Sequence, residues 1–147
     1  MPAMTGDEVQ AFMQRVFPQN RLPVEIEAVE DGYVRIRIKT KERYLRPGGT
    51  VSGPALMTIA DTAMYYLVLV MIGPVALALT TNLNINFLRA PKLGDLIAEA
   101  NMLKLGKRLA VGEVTIRSDG SNDAVAHATV TYSIPPDAIK AGEAPIA

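Results

Sequence analysis

The chain has 147 residues, about half of them apolar, and its fifteen basic and fifteen acidic side chains cancel. That is material for one domain with a sizeable core, without the electrostatic footprint that draws a protein to nucleic acid or an anionic membrane. There is no cysteine and a single histidine, His127, which excludes disulfides, thiolate nucleophiles and Cys/His metal clusters.

In chain order, Thr5-Gly-Asp-Glu8 has the form of a capping box, and Val9, Phe12, Met13, Val16 and Phe17 recur at helical spacing until Pro18, which predicts a short amphipathic lid helix. Val24, Ile26 and Ala28, then Val34, Ile36 and Ile38, alternate with charged residues, the period of two half-exposed antiparallel strands. A three-residue link, Glu30-Asp31-Gly32, pairs Ile26 with Ile36 and Glu27 with Arg35, whereas a two-residue turn sets glutamates opposite isoleucines. The three-residue link is the expectation.

Arg46 to Gly53 reads as a loop, and Pro54 opens a long helix that Ser52 or Gly53 caps and Gly73-Pro74 closes. From Ala76 to Phe87 the period returns to two, with Thr81, Leu83, Ile85 and Phe87 on one face and Thr80, Asn82, Asn84 and Asn86 on the other. Leu96 to Leu105 and Leu109 to Arg117 are strands joined at Gly106-Lys107. The last strand sets Ala124, Ala126, Ala128, Val130 and Tyr132 against Val125, His127, Thr129, Thr131 and Ser133.

Helix, two strands, long helix and four strands make an α+β domain: an antiparallel six-stranded sheet curled about one central helix. A single domain spans 1–147, with 1–20 an N-terminal helix and lead-in and 135–147 a C-terminal tail. One helix leaves such a sheet with open edges, so a homodimer is expected.

The long helix approaches the length of a membrane span, yet Asp61, Thr58 and Thr62 lie at its centre, where a charge costs at least about 2.5 kcal/mol. A buried helix of a soluble domain is the better reading, and with no basic segment leading into an apolar core and cleavage site the expected setting is cytoplasmic. Asp61 is then a carboxylate among aliphatic side chains. Such a group must raise its pKa or find hydrogen-bond partners, and it marks a candidate site for chemistry.

Gly49-Thr-Val-Ser-Gly-Pro-Ala-Leu-Met-Thr-Ile-Ala-Asp-Thr-Ala63, followed by Thr80-Thr-Asn-Leu-Asn-Ile-Asn-Phe-Leu-Arg-Ala-Pro-Lys-Leu-Gly-Asp95 and Gly106-Lys-Arg-Leu-Ala-Val-Gly-Glu-Val114, resembles the hotdog-fold acyl-CoA thioesterases, in particular their PaaI-like, phenylacetate-degradation branch. The resemblance covers roughly residues 20 to 134. It implies a hotdog fold, a dimer with a continuous sheet and hydrolysis of an acyl-CoA or aryl-acyl-CoA thioester. The family pattern runs Gly-Thr, one residue, His-Gly-Gly, then an acid eight residues after the first of those glycines, here Gly53 and Asp61. Ser52 stands where the family has histidine, Pro54 where it has the second glycine, and Arg46 where an Asn or Gln is common.

The resemblance implies that the Gly53 N–H polarises the thioester carbonyl and that Asp61 acts as nucleophile or as general base, the two usually from opposite subunits. Thr80 matches the residue that orients water, with Thr81 its neighbour. Arg89, Lys92, Lys107 and Arg108 are the candidates for the CoA phosphates, and Met57, Met64 and Tyr65 for the acyl pocket. Coenzyme A enters as part of the substrate, with no separate cofactor and no metal. Other expected partners are a second copy of the chain and, beyond that, a dimer of dimers, with no nucleic acid and no membrane.

Two further classes stay open: a hotdog domain that binds acyl-CoA without hydrolysing it, motivated by Ser52 and Pro54, and a hydratase or dehydratase, which needs a histidine beside the acid. Ser52 is read as a helix cap rather than a nucleophile, since nothing in the sequence brings His127 near it.

Overall fold

A computed structural model of the protein describes residues 1–19 and 22–136. Asn20, at the end of the expected lead-in, and residues 137–147 of the expected tail lie outside them.

The element order is α1 (Gly6–Val16), β1 (Val24–Glu30), β2 (Tyr33–Lys39), β3 (Leu45–Arg46), β4 (Thr50–Val51), α2 (Gly53–Ile72), β5 (Leu79–Phe87), β6 (Asp95–Leu105), β7 (Leu109–Ser118) and β8 (Ala124–Ser133). Six strands form one sheet in the order β1-β2-β6-β7-β8-β5, antiparallel throughout. α2 lies across its inner face, packed on β2 and on β5 to β8. This is the hotdog arrangement.

Small residues let the helix come close. Ala98 and Ala100 of β6, Ala110 of β7, and Ala126 and Ala128 of β8 are buried beneath it, interleaved with larger residues such as Ile36, Val114, Ile116 and Val130. α1, with the capping box Thr5/Glu8 complete, buries Val9, Phe12 and Met13. The segment before it is tied to the far half of α2, where the Met4 N–H donates to the Val70 carbonyl at 3.2 Å. α2 is therefore the core helix of the sheet. Its uncovered side is a stripe at helical spacing through Pro54, Met57, Thr58, Asp61 and Tyr65, all exposed or half-buried.

Several details differ from the sequence reading. The β1–β2 connection is the two-residue turn, with Glu30 opposite Tyr33 and Gly32 at φ +72°. That turn sets Arg35 opposite Ala28, and a bulge at Glu27 then restores Ile26 opposite Ile36, so the extra residue sits inside the strand rather than in the turn. The bulged Glu27 accepts from Arg35 Nε at 3.2 Å and Arg37 Nε at 2.6 Å.

The expected loop at 46–53 contains a small hairpin, β3 against β4, whose turn passes through Gly48 and Gly49 at φ +103° and +82°. The strand expected from Ala76 begins at Leu79, because 75–78 form a turn closed by Ala78 N–H on the Val75 carbonyl. Thr80 lies on the face opposite to the one expected. A second bulge, between Thr80 and Asn82, leaves Thr81 as the extra residue and puts Thr80 on the helix side with Leu83 and Ile85.

Candidate active site

Asp61 was expected to be buried among aliphatic side chains; it is half-buried on the open stripe of α2. The reason is that α2 is apolar nearly all round, so its pattern does not say which side the sheet takes. The carboxylate is nonetheless held. Thr80 Oγ1 donates to Asp61 Oδ1 at 2.5 Å, and the Tyr132 hydroxyl donates to the same oxygen at 2.8 Å. Tyr132 also lies 3.2 Å from the Asp61 backbone carbonyl.

Tyr132 is buried, and its ring stacks on Tyr65 with centroids 5.8 Å apart and planes at 22°. The Tyr65 hydroxyl donates to the Ala76 carbonyl at 3.0 Å. Burial raises the Tyr65 hydroxyl pKa to about 12. Tyr132 is pushed well above the ordinary phenol range, first by burial and then by the Asp61 charge, so it stays a proton donor.

The other half of the candidate site is the start of α2. Ser52 is the N-cap, its Oγ accepting from the Ala55 N–H at 3.3 Å. Gly53 is the first helical residue, with Phe87 against it: a Cβ on Gly53 would lie 3.4 Å from the Phe87 Cζ. As a first-turn residue it has no acceptor within the helix, and none of the described residues accepts its N–H. A cavity of about 250 Å³ opens beside this end, lined by Ser52, Pro54, Ala55, Thr58 and Ile59 with Tyr44.

The remaining candidates fall into separate groups. Arg46 pairs with Thr50 across β3 and β4, and Thr50 bridges to Lys92 on its other side, so two cations flank the approach to the helix start. Arg89, exposed after β5, donates to the Ala124 carbonyl at 2.5 Å. Lys107 and Arg108 sit in the β6–β7 turn at the opposite end of the sheet. Thr81 Oγ1 donates to the Thr131 carbonyl. Met57 is exposed on the stripe, whereas Met64 is fully buried between α2 and β7, where it packs the core. Tyr65 buttresses Tyr132.

His127 pairs with Glu113 at 2.9 Å on the outer face of the sheet, the face away from Asp61. Among the described residues no group of three His, Cys, Asp or Glu side chains is placed to hold a metal ion. Tyr132 is the residue that sequence reasoning missed. The available signal was a lone aromatic at the end of an alanine-rich inward row, and nothing in that row announces a partner on α2.

Residues 48–125 match the thioesterase superfamily, and the chain belongs to that family. The matched segment holds Gly53, Asp61 and Thr80 and stops short of Tyr132. A protein provisionally assigned as a thioesterase, from Silicibacter sp. TM1040, shares the fold with a TM-score of 0.84 and 44% identity, over 92% of this chain and 95% of that one. A phenylacetic acid degradation-related protein of Ralstonia eutropha JMP134, also provisionally a thioesterase, is 26% identical with a TM-score of 0.72, over 84% and 98%. A Streptococcus mutans UA159 protein bound to acetyl-CoA has the same fold at 23% identity and a TM-score of 0.69, over 78% and 90%. The thioesterase family and its PaaI-like branch are those the motif residues pointed to.

Proposed function

We propose that the protein hydrolyses an acyl-CoA or aryl-acyl-CoA thioester at a site shared by two copies of the chain. The observation that carries this reading is the division of labour along α2. The free Gly53 N–H stands at the positive end of the helix, fit to hold the oxygen of a polarised carbonyl. Asp61 stands eight residues on, about 12 Å along the axis at 1.5 Å per residue. One thioester carbon cannot meet both on one chain. Two copies with their α2 stripes side by side and antiparallel bring Gly53 of each toward Asp61 of the other.

In the reaction, water adds to the carbonyl carbon, the carbonyl electron pair moves to oxygen, and on collapse the C–S bond breaks to give a carboxylic acid and the CoA thiol. Asp61 either takes the proton from that water or attacks first and is released by water afterwards. The one Thr80 proton is already committed to Asp61, so Thr80 holds a water through its oxygen lone pairs. In this reading Arg46 and Lys92, on either side of Thr50, take the CoA phosphates of the half-site at Gly53, with Arg89 in the same region. Lys107 and Arg108 reach that half-site only from a second copy. That the same fold carries acetyl-CoA in the Streptococcus mutans protein supports this at the level of fold.

A second reading has its own observation. Ser52 spends its oxygen on the helix cap, and Pro54 removes one of the free N–H groups at the helix start, so the family's histidine and second glycine have no substitute here. On that reading the domain binds acyl-CoA without turnover. Release of CoA thiol from acetyl, medium-chain, long-chain and phenylacetyl or hydroxybenzoyl CoA, with wild type beside Asp61→Asn, decides. Activity that Asp61→Asn abolishes establishes the hydrolase. No activity on any substrate, with acyl-CoA still raising the melting temperature, establishes the binder.

A further inference from the structure

Thr80 and Tyr132 are direct partners across the β5–β8 ladder, on the face that α2 covers. Both hydroxyls end on one atom, Asp61 Oδ1, and Oδ2 receives no hydrogen bond from any described residue. The Tyr132 hydroxyl, shared with the Asp61 backbone carbonyl, ties the carboxylate to its own main chain. Tyr132 is 3% exposed and is fixed in turn by the Tyr65 ring, which the Ala76 carbonyl anchors.

We propose that Tyr132 is a positioning residue for the reaction: with Thr80 it pins Oδ1 of Asp61, leaving Oδ2 as the oxygen that acts on water or on the thioester carbon. This rests on Asp61 being the acting group. The terminal torsion of an aspartate is broad and nearly two-fold, so an unpinned carboxylate spreads over orientations and only part of its population points usefully. Two donors on one oxygen remove that spread before the substrate arrives, which is how pre-organisation lowers a barrier without adding a contact to the substrate. The aromatic stack sets the direction of the phenol, and the Thr81 bulge brings Thr80 to the same oxygen.

Tyr132→Phe keeps the ring and its stack on Tyr65 and removes only the donor. The expected result, on whichever substrate the panel finds best, is kcat lower by about tenfold or more with KM within about twofold, the signature of a group that acts on the transition state rather than on binding. The melting temperature stays within a few degrees. A folded Tyr132→Phe with wild-type kcat overturns the proposal, as does a loss of kcat that only follows a fall in the folded fraction. If Tyr132→Phe does not fold, 3-fluorotyrosine at 132, close in shape and a stronger donor, replaces it: a changed kcat at unchanged stability supports the role, and an unchanged kcat overturns it. Asp61→Asn in the same assay separates the two readings. Full activity there removes the role of Asp61, whereas a dead Asp61→Asn beside a fully active Tyr132→Phe removes only the role of Tyr132.

Discussion

Gly112 of β7 lies directly against Met64 of α2: a Cβ built on the glycine would sit 2.6 Å from the Met64 Sδ and 2.9 Å from the Asn101 carbonyl oxygen. The helix thus rests on bare backbone at this point. Gly112→Ala is expected to destabilise the fold by about 1–3 kcal/mol, the range for overpacking a closed core, measured by urea denaturation. Because one of the two clashes is with β6 backbone, shortening Met64 in the same chain is expected to recover only part of the loss.

At Gly53 the demand is different. The three atoms nearest to an added methyl all belong to the Phe87 ring, at ordinary contact distance, so Gly53→Ala is expected to fold with stability within about 1 kcal/mol of wild type. Activity is expected to fall by about tenfold or more, since the methyl intrudes where a carbonyl oxygen must approach the N–H. Thermal melting and CoA release on one preparation check both halves of this expectation.

The proposed two-copy site predicts complementation. Two inactive chains, Asp61→Asn and an inactive Gly53 variant, are mixed, unfolded and refolded together. Random pairing in a two-fold dimer makes half the dimers mixed, each with one intact site, so about a quarter of wild-type activity is expected to return. Activity that stays at zero, in a mixture shown to contain mixed dimers, removes the shared site.

Deleting Thr81 removes the extra residue of the β5 bulge, and with Asn82 facing outward strict alternation then keeps Thr80 on the helix side, still opposite Tyr132. β5 is an edge strand, so the fold is expected to survive by circular dichroism and hydrolysis to be retained, whereas Thr80→Val, which removes the hydroxyl on Asp61, is expected to lower it.

On the outer face, Arg37 binds Glu27 at 2.6 Å and Asp95 and Asp119 at 2.9 Å each. It holds the Asp119 carboxyl below the ordinary range, and a hydrogen bond from Tyr33, then one from Arg117, does the same for Glu99. Both carboxyls bind protons less tightly folded than unfolded. Their contribution is therefore present above the unfolded carboxylate range, about pH 4, and is lost as pH falls through their depressed values. Arg37→Met is expected to raise the midpoint of acid unfolding at low salt, with a smaller shift at high salt.

The helix ends and the last three strands were legible because caps, turn glycines and alternation agree there: Thr5 with Glu8, Ser52 before Gly53, Gly73 after Ile72. Two edge strands were misread for one reason. The bulges at Glu27 and Thr81 each shift the period by one residue, and nothing in the side chains marks a bulge. Half of the candidate site was legible, since the apolar run around it singled out Asp61 and the resemblance to the family motif added Gly53 and Thr80. Tyr132 was not, because its role depends on a helix residue 71 positions away. Met57 and Met64 looked alike in sequence, yet one is on the open stripe and the other under the sheet, a distinction an all-round apolar helix conceals.

The two margins of the sheet are unlike. Both are bulged, but β1 carries Glu25, Glu27 and Glu30, charges that discourage another strand from adding itself. β5 runs nine residues without a charge, its outward backbone groups left for a visitor. A sheet open on both sides is a monomer for a fibre. One that is open on a single side has room for one neighbour, and once that neighbour is a copy of itself, growth is finished.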